Sequence, residues 1–217
     1  MEELRTEEEQ IAAIKNWWKE NGNSILIAIG LALAIVFGWK AYQNNALQNK
    51  AEASAMYDQL LTAATRPQLA GEASSVSYLA DALKAKFSDT EYGIYAALFL
   101  AKEAVNADDL ELAKTELNWV LSNTDDTSLV HVINGRLARI LSQQGDQEGA
   151  LALLHATDSA FDSEYLELQG DIKLRAKDEA GAVDAYKKAF ALVKSEPQVQ
   201  PLLAIKLADL GVSIDSL

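Results

Sequence analysis

Two histidines, His131 and His155, and two aspartate pairs, Asp108-Asp109 and Asp125-Asp126, are the residues whose types could do chemistry. Imidazole acts as an acid, a base or a metal ligand only with a second group in reach. His131 and His155 fall in different helical segments, and neither has a further ligand at metal-binding spacing. Paired carboxylates suit Ca²⁺ or acid–base work, but both pairs lie in turn-forming sequence, where Asp bonds nearby backbone amides. The EF-hand loop pattern is absent. There is no Cys, which removes thiolate nucleophiles, thiolate metal sites and disulfides. No GxSxG, HExxH or phosphate-cradling glycine loop occurs. The expectation is therefore a protein without catalytic centre, metal or cofactor, whose work is to hold other proteins.

Charge narrows the choice of partner. Lys and Arg number 19 against 32 Asp and Glu, a formal net charge of -13. Phosphate binding needs a clustered basic surplus, so nucleic acid is excluded, as is a polybasic grip on anionic lipid. An acidic surface favours basic partners and speeds their encounter. With only three Pro, 11 Gly and abundant Ala, the composition is that of an all-α chain.

The elements that would position a contact surface come from a repeat. In YLELQGDIKLRAKDEAGAVDAYKKAFALVKSEP, residues 165 to 197, Gly170 sits in a first helix. Ala182, Tyr186 and Ala189 follow in a second, and Pro197 closes the unit. In residues 137 to 154, Ala138, Ala150 and Leu154 take the places of Gly170, Ala182 and Tyr186. In residues 100 to 117, Ala101, Ala113 and Leu117 do the same. The steps from Ala113 to Ala150 and from Ala150 to Ala182 are 37 and 32 residues, near the roughly 34 of a tetratricopeptide repeat. Two antiparallel helices approach closely only where small residues meet. A Gly or Ala on the first helix opposite an Ala on the second gives that clearance, and the larger residue four positions on fills the space beside it. One such hairpin cannot bury its apolar face alone, so hairpins stack into a solenoid. Turns are expected near Ser88-Asp89, Asn106-Ala107-Asp108, Asn123 to Thr127, Gln144-Gly145-Asp146, Thr157 to Ser159 and Lys177-Asp178. A first unit over residues 44–87 matches poorly, and a last helix from Pro201 reads as a cap on the final apolar face.

Ahead of the repeats, nineteen residues between Glu20 and Lys40 carry no charge. As a helix they span roughly 28 Å, close to the hydrocarbon thickness of a bilayer. Ile25 to Trp39 has no polar face, as a soluble core helix would need. Trp17 and Trp18 at one end, and Trp39 and Tyr42 at the other, suit the two headgroup zones. Lys15, Lys19 and Lys40 can snorkel beyond them. The first twenty residues are long and acidic for a signal peptide. Small residues suited to cleavage, Ala51-Glu52-Ala53, lie too far downstream. The segment therefore reads as a retained anchor. Gly30, Ala34 and Gly38 recur every four residues along one face, a spacing that admits a second helix and is also ordinary in any span. Thr6 to Glu9 can form a capping box, and Ile11, Ile14 and Trp18 follow at helical spacing.

The expected organisation is a cytoplasmic acidic and amphipathic tail over residues 1–20, a transmembrane anchor over 21–43, and a tetratricopeptide-like repeat domain over 44–217. A short tail before one uncleaved span ordinarily stays in the cytoplasm, which puts the repeat domain on the far side of the membrane.

Residues EEEQIAAIKNWWKENGNSILIAIGLALAIVFGWK, with VINGRLARIL (132–141) and IKLADL (205–210), carry a likeness. The chain resembles the YfgM-type ancillary subunits of the bacterial Sec translocon along essentially its whole length. The resemblance implies a single-pass inner-membrane protein with a periplasmic repeat domain. It implies association with the SecYEG channel and with the membrane-anchored periplasmic chaperone PpiD, a part in handing exported, unfolded client proteins to chaperones, and no catalysis. An envelope stress-response role, or a scaffold for another envelope complex using the same repeat surface, is the alternative. No groove residue carries over from the resemblance.

Overall fold

A computed structural model describes residues 7–66, 76–155, 161–193 and 200–213, less the side chains of Glu8 and Gln200. The expected roles of Thr6, Thr157 to Ser159 and Pro197 lie outside these residues.

Among the described residues all regular structure is helical. Helix α1 runs unbroken over Glu7–Thr65. Then follow α2 (Val76–Lys86), α3 (Glu91–Asn106), α4 (Leu110–Ser122), α5 (Thr127–Gln143), α6 (Gln147–Ala152), α7 (Asp162–Arg175), α8 (Glu179–Val193) and α9 (Gln200–Asp209). The chain divides into two compact units, Met1–Ser54 and Ala55–Leu217.

The first unit is the N-terminal stretch of α1. It holds the one described helix long and apolar enough to cross a bilayer, and none of its most apolar window is buried by protein. Ile35 and Phe37, for example, are 71% and 65% exposed. Leaving such side chains in water costs about 25 cal/mol per Å², so this stretch calls for an apolar surrounding that the chain does not supply. Trp17, Trp18, Trp39 and Tyr42 are likewise exposed. Asn21 donates to the Trp17 carbonyl at 3.0 Å. The Trp39 and Tyr42 rings lie 6.0 Å apart. A Cβ on Gly30 or Gly38 would meet nothing within 4 Å, so the small-residue face that includes Ala34 is open.

The second unit is a run of helical hairpins, and its turns explain why. At each of three turns one residue takes a left-handed backbone: Asp108 (φ 58), Gly145 (φ 90) and Lys177 (φ 64). The next residue is Asp each time. Its amide donates back across the turn to the carbonyl of Ala104 (2.8 Å), Leu141 (2.9 Å) or Lys173 (2.9 Å), which closes the preceding helix. Its carboxylate then caps the following helix, accepting from Leu112 (3.0 Å), Gly149 (2.8 Å) or Gly181 (2.9 Å). One short sequence thus stops one helix and starts the next. Asp126 caps α5 in the same manner, accepting from the amides of Ser128 and Leu129.

The core is a chain of linked clusters rather than one centre. Ala101, Ala113, Leu117, Val120, Ile133 and Leu137 join α3, α4 and α5. Ala138, Ala150, Leu154, Tyr165, Leu168 and Ile172 join α5, α6 and α7. Neighbouring residues of α5, Leu137 and Ala138, thus serve different clusters. Each hairpin is stabilised by the next, as in any stacked repeat. Ala182, Tyr186, Ala189 and Phe190 of α8 pack with Leu203 and Leu207 of α9, both fully buried. Helix α9 therefore covers the last apolar face, while Leu202 and Ile205 on its far side remain exposed.

Candidate partner-binding groove

The repeat positions Ala101, Ala113, Leu117, Ala138, Ala150, Leu154, Ala182, Tyr186 and Ala189 are all buried, at 4% exposure or less, and Gly170 is buried too. Their work is packing. At Gly170 the close neighbour is not the alanine of the second helix but the Tyr186 ring: an added Cβ would strike its Cε1, Cδ1 and Cζ atoms. The expected clearance is there, and it admits the large residue.

With the small residues inside, other side chains are turned outward. On α3, Tyr95, Phe99, Lys102 and Asn106 recur every three or four residues and share one face. On α5, Arg136, Arg139 and Gln143 do the same, with buried Ile140 beside them. These faces border a groove of about 680 Å³. Leu98, Ala101, Leu110, Leu117 and Ile140 supply apolar lining, and Tyr57 of α1 contributes a ring. Tyr57 packs 5.9 Å from Tyr92 and 5.8 Å from Tyr95, and Tyr92 stands edge-on to Tyr95 at 6.1 Å. Burial first, and then the neighbouring Tyr95 hydroxyl, hold the Tyr57 hydroxyl above its ordinary pKa. It is a neutral donor at physiological pH.

The electrostatics of the groove oppose those of the whole chain. Lys102, Arg136 and Arg139 line it, and among the described residues no Asp or Glu does. Lys102 lies 3.4 Å from exposed Glu103 and 5.5 Å from the Phe99 ring. Among the described residues neither Arg136 nor Arg139 has a carboxylate partner; the Arg139 guanidinium only donates to its own helix at the Gly135 carbonyl, 3.4 Å away. A second hollow of about 270 Å³ shares Arg139 and Gln143 and continues to Asp171 and Arg175 of α7. Its carboxylate is already engaged: Asp171 Oδ1 accepts from Tyr186 at 2.7 Å and from Lys206 at 2.6 Å.

The sequence offered only weak signals for this surface. An aromatic and basic stripe on an amphipathic helix reads as ordinary solvent face. Nothing local says that the stripes of α3 and α5 face a common space. The histidines lie elsewhere. His131 stacks on Phe161 at 5.2 Å, and its carbonyl accepts from the Tyr165 hydroxyl at 2.8 Å. His155 is exposed beyond α6. Asp108 and Asp109 form the α3–α4 turn described above.

A family model described as a tetratricopeptide repeat-like domain matches residues 15–212. Ancillary SecYEG translocon subunits are similar to this chain. That of Haemophilus influenzae is 30% identical over 184 residues, 84% of this chain and 88% of the relative. That of Aggregatibacter actinomycetemcomitans is 32% identical over the same shares. That of Escherichia coli is 29% identical over 215 residues, 98% of this chain and all of the relative. No solved structure matches. An unburied apolar helix, Asp-capped helical hairpins with small residues at their crossings, and full-length likeness converge: the chain belongs to the family of ancillary SecYEG translocon subunits, built on a tetratricopeptide repeat-like domain.

Proposed function

We propose that this protein is an inner-membrane adaptor of the Sec translocon. Residues 1–20 form its cytoplasmic tail, residues 21–43 its anchor and residues 44–217 a periplasmic repeat domain. The repeats contact the SecYEG channel and a membrane-anchored periplasmic chaperone of the PpiD kind, and they meet unfolded clients during export. The observation that carries this reading is the wholly unburied apolar window of α1, on a chain whose relatives bear the name of translocon subunits. Fixing a contact surface beside a channel exit raises its effective concentration there, so modest affinity suffices. Trp17, Trp18, Trp39 and Tyr42 set the depth of the anchor, and Gly30, Ala34 and Gly38 offer the channel a close approach.

Affinity purification of the tagged full chain in mild detergent is expected to bring down SecYEG and the chaperone, and an alkaline phosphatase fusion after Leu217 is expected to be active. Absence of both partners would refute the adaptor role. An inactive fusion would refute the periplasmic placement.

A further inference from the structure

We infer that the groove between α3, α4 and α5 binds an extended, acidic segment of a partner protein, with an apolar side chain seated between carboxylates. From the proposed function this takes only the premise that the repeat domain is a contact surface.

Charge complementarity selects the occupant. In a chain with 32 acidic and 19 basic residues, most of the charged side chains on a randomly composed surface would be Asp or Glu. Among the described residues this groove is lined by three cations and no carboxylate. Arg136 and Arg139 stand one turn apart on α5, both exposed. Two guanidiniums at that spacing can each fork onto a carboxylate. Their cost of desolvation on binding is recovered only if the ligand brings the opposite charge. Lys102 faces the groove from the other helix, but exposed Glu103 lies 3.4 Å from its ammonium, so the two arginines of α5 are the main anchor for an anion.

The floor selects the rest of the segment. Half-buried Leu98, Phe99 and Leu110, backed by the buried Ala101, Leu117 and Ile140, present apolar surface, which takes a Leu, Phe or Met side chain. Tyr57 and Tyr95 at the border add flat, amphipathic contact at low entropic cost. Amide groups of Asn106 and Gln143 can serve a peptide backbone. A basic segment, favoured by the chain's average charge, is rejected here by three like charges. The second hollow extends the path past Arg139 to Arg175, while its one carboxylate, Asp171, is already bonded to Tyr186 and Lys206.

The test uses the full chain in lipid nanodiscs and three fluorescent ten-residue peptides. One has Asp-Glu pairs on each side of a Leu-Phe core, the second has Asn-Gln in their place, and the third Lys-Lys. Fluorescence anisotropy is expected to show the acidic peptide binding at least about tenfold tighter than the amide peptide, with affinity falling as salt rises. Double reversal, Arg136→Glu with Arg139→Glu, is expected to abolish that preference. Lys187→Glu, an exposed reversal on α8 outside the groove, is expected to leave it unchanged. Circular dichroism melting checks that each variant is folded. Equal binding of all three peptides, or undiminished acidic binding by the folded double variant, would overturn the inference. Purification of SecYEG with the same preparations separates the two readings. A chain that retains SecYEG yet does not discriminate the peptides overturns the groove assignment alone. One that discriminates the peptides but retains no SecYEG supports the groove and counts against the adaptor role.

Discussion

At the scale of single residues, two glycines on neighbouring helices have opposite meanings. Gly170 stands where a methyl group would enter the ring of Tyr186, which is 1% exposed and tethered through its hydroxyl to Asp171. Gly135 is also buried in a helix, but an added Cβ there would find Arg139, Leu168 and Tyr165 at 3.7 to 3.9 Å, ordinary contact distance. Gly170→Leu is therefore expected to cost roughly 1–3 kcal/mol by overpacking. Gly135→Ala is expected to gain about 0.5–1 kcal/mol by removing a helix-interior glycine. Denaturant unfolding followed by circular dichroism measures both, and equal effects at the two positions would contradict this packing. Sequence alone supplied the positions of Gly170 and Tyr186, because small and large residues recur at fixed steps. It set Ala182 at the crossing with Tyr186 beside it, and the structure shows whose atoms come nearest the glycine, those of the Tyr186 ring: spacing gives helical phase, not which side chain leans furthest across the crossing.

At the scale of the element, α9 is held by both grease and charge. Leu203 and Leu207 are fully buried, and Lys206 between them donates to Glu167 at 2.7 Å and to Asp171 at 2.6 Å. Its ammonium also lies 5.4 Å from the centre of the Tyr186 ring. Burial alone would lower the Lys206 pKa, but its bonds to Asp171 and Glu167 outweigh this and raise it. The Tyr186 hydroxyl is also pushed up, first by burial and then by its bond to Asp171. Both groups keep their protons more firmly in the folded chain than in the unfolded one. Their stabilisation is complete below about pH 10, where the unfolded side chains are still protonated, and is lost as pH rises beyond it. The melting temperature is expected to hold up to about pH 10 and to fall as pH rises beyond it, less steeply in Lys206→Met. At neutral pH that substitution is expected to cost roughly 1–3 kcal/mol, between an exposed and a buried ion pair, because Lys206 is 23% exposed. A pH-independent melting curve would remove this account of the cap. The capping helix itself was legible from its apolar spacing. The partners of Lys206 were not, since they lie more than thirty positions earlier and meet it only when α7, α8 and α9 stack.

At the scale of the molecule, the two units were legible to different degrees. The anchor is written locally: an uncharged run, aromatics at its borders and lysines beyond. Its exposed side chains in the structure state the same need for an apolar surrounding. Full-length protein is expected to stay with vesicles through an alkaline carbonate wash, assayed by immunoblot; recovery in the supernatant would remove the anchor. The repeat domain was legible in its hairpins, whose turns and small residues are local. Its groove was not. The net charge of -13 pointed toward basic partners, while the groove gathers Lys102, Arg136 and Arg139. Average charge describes the outer envelope, and a cleft is defined only by which helical stripes the fold turns toward each other.

The recurring left-handed residue followed by Asp, at Asp108-Asp109, Gly145-Asp146 and Lys177-Asp178, makes the hairpins modular. Each joint is closed by its own backbone and its own carboxylate, so a joint does not depend on the identity of the hairpin beyond it. Inserting a copy of one module between two existing ones would lengthen the array without inventing a new fold. The reach of such a protein toward its partners is then set by counting modules, and lineages could tune it by duplication rather than by redesign.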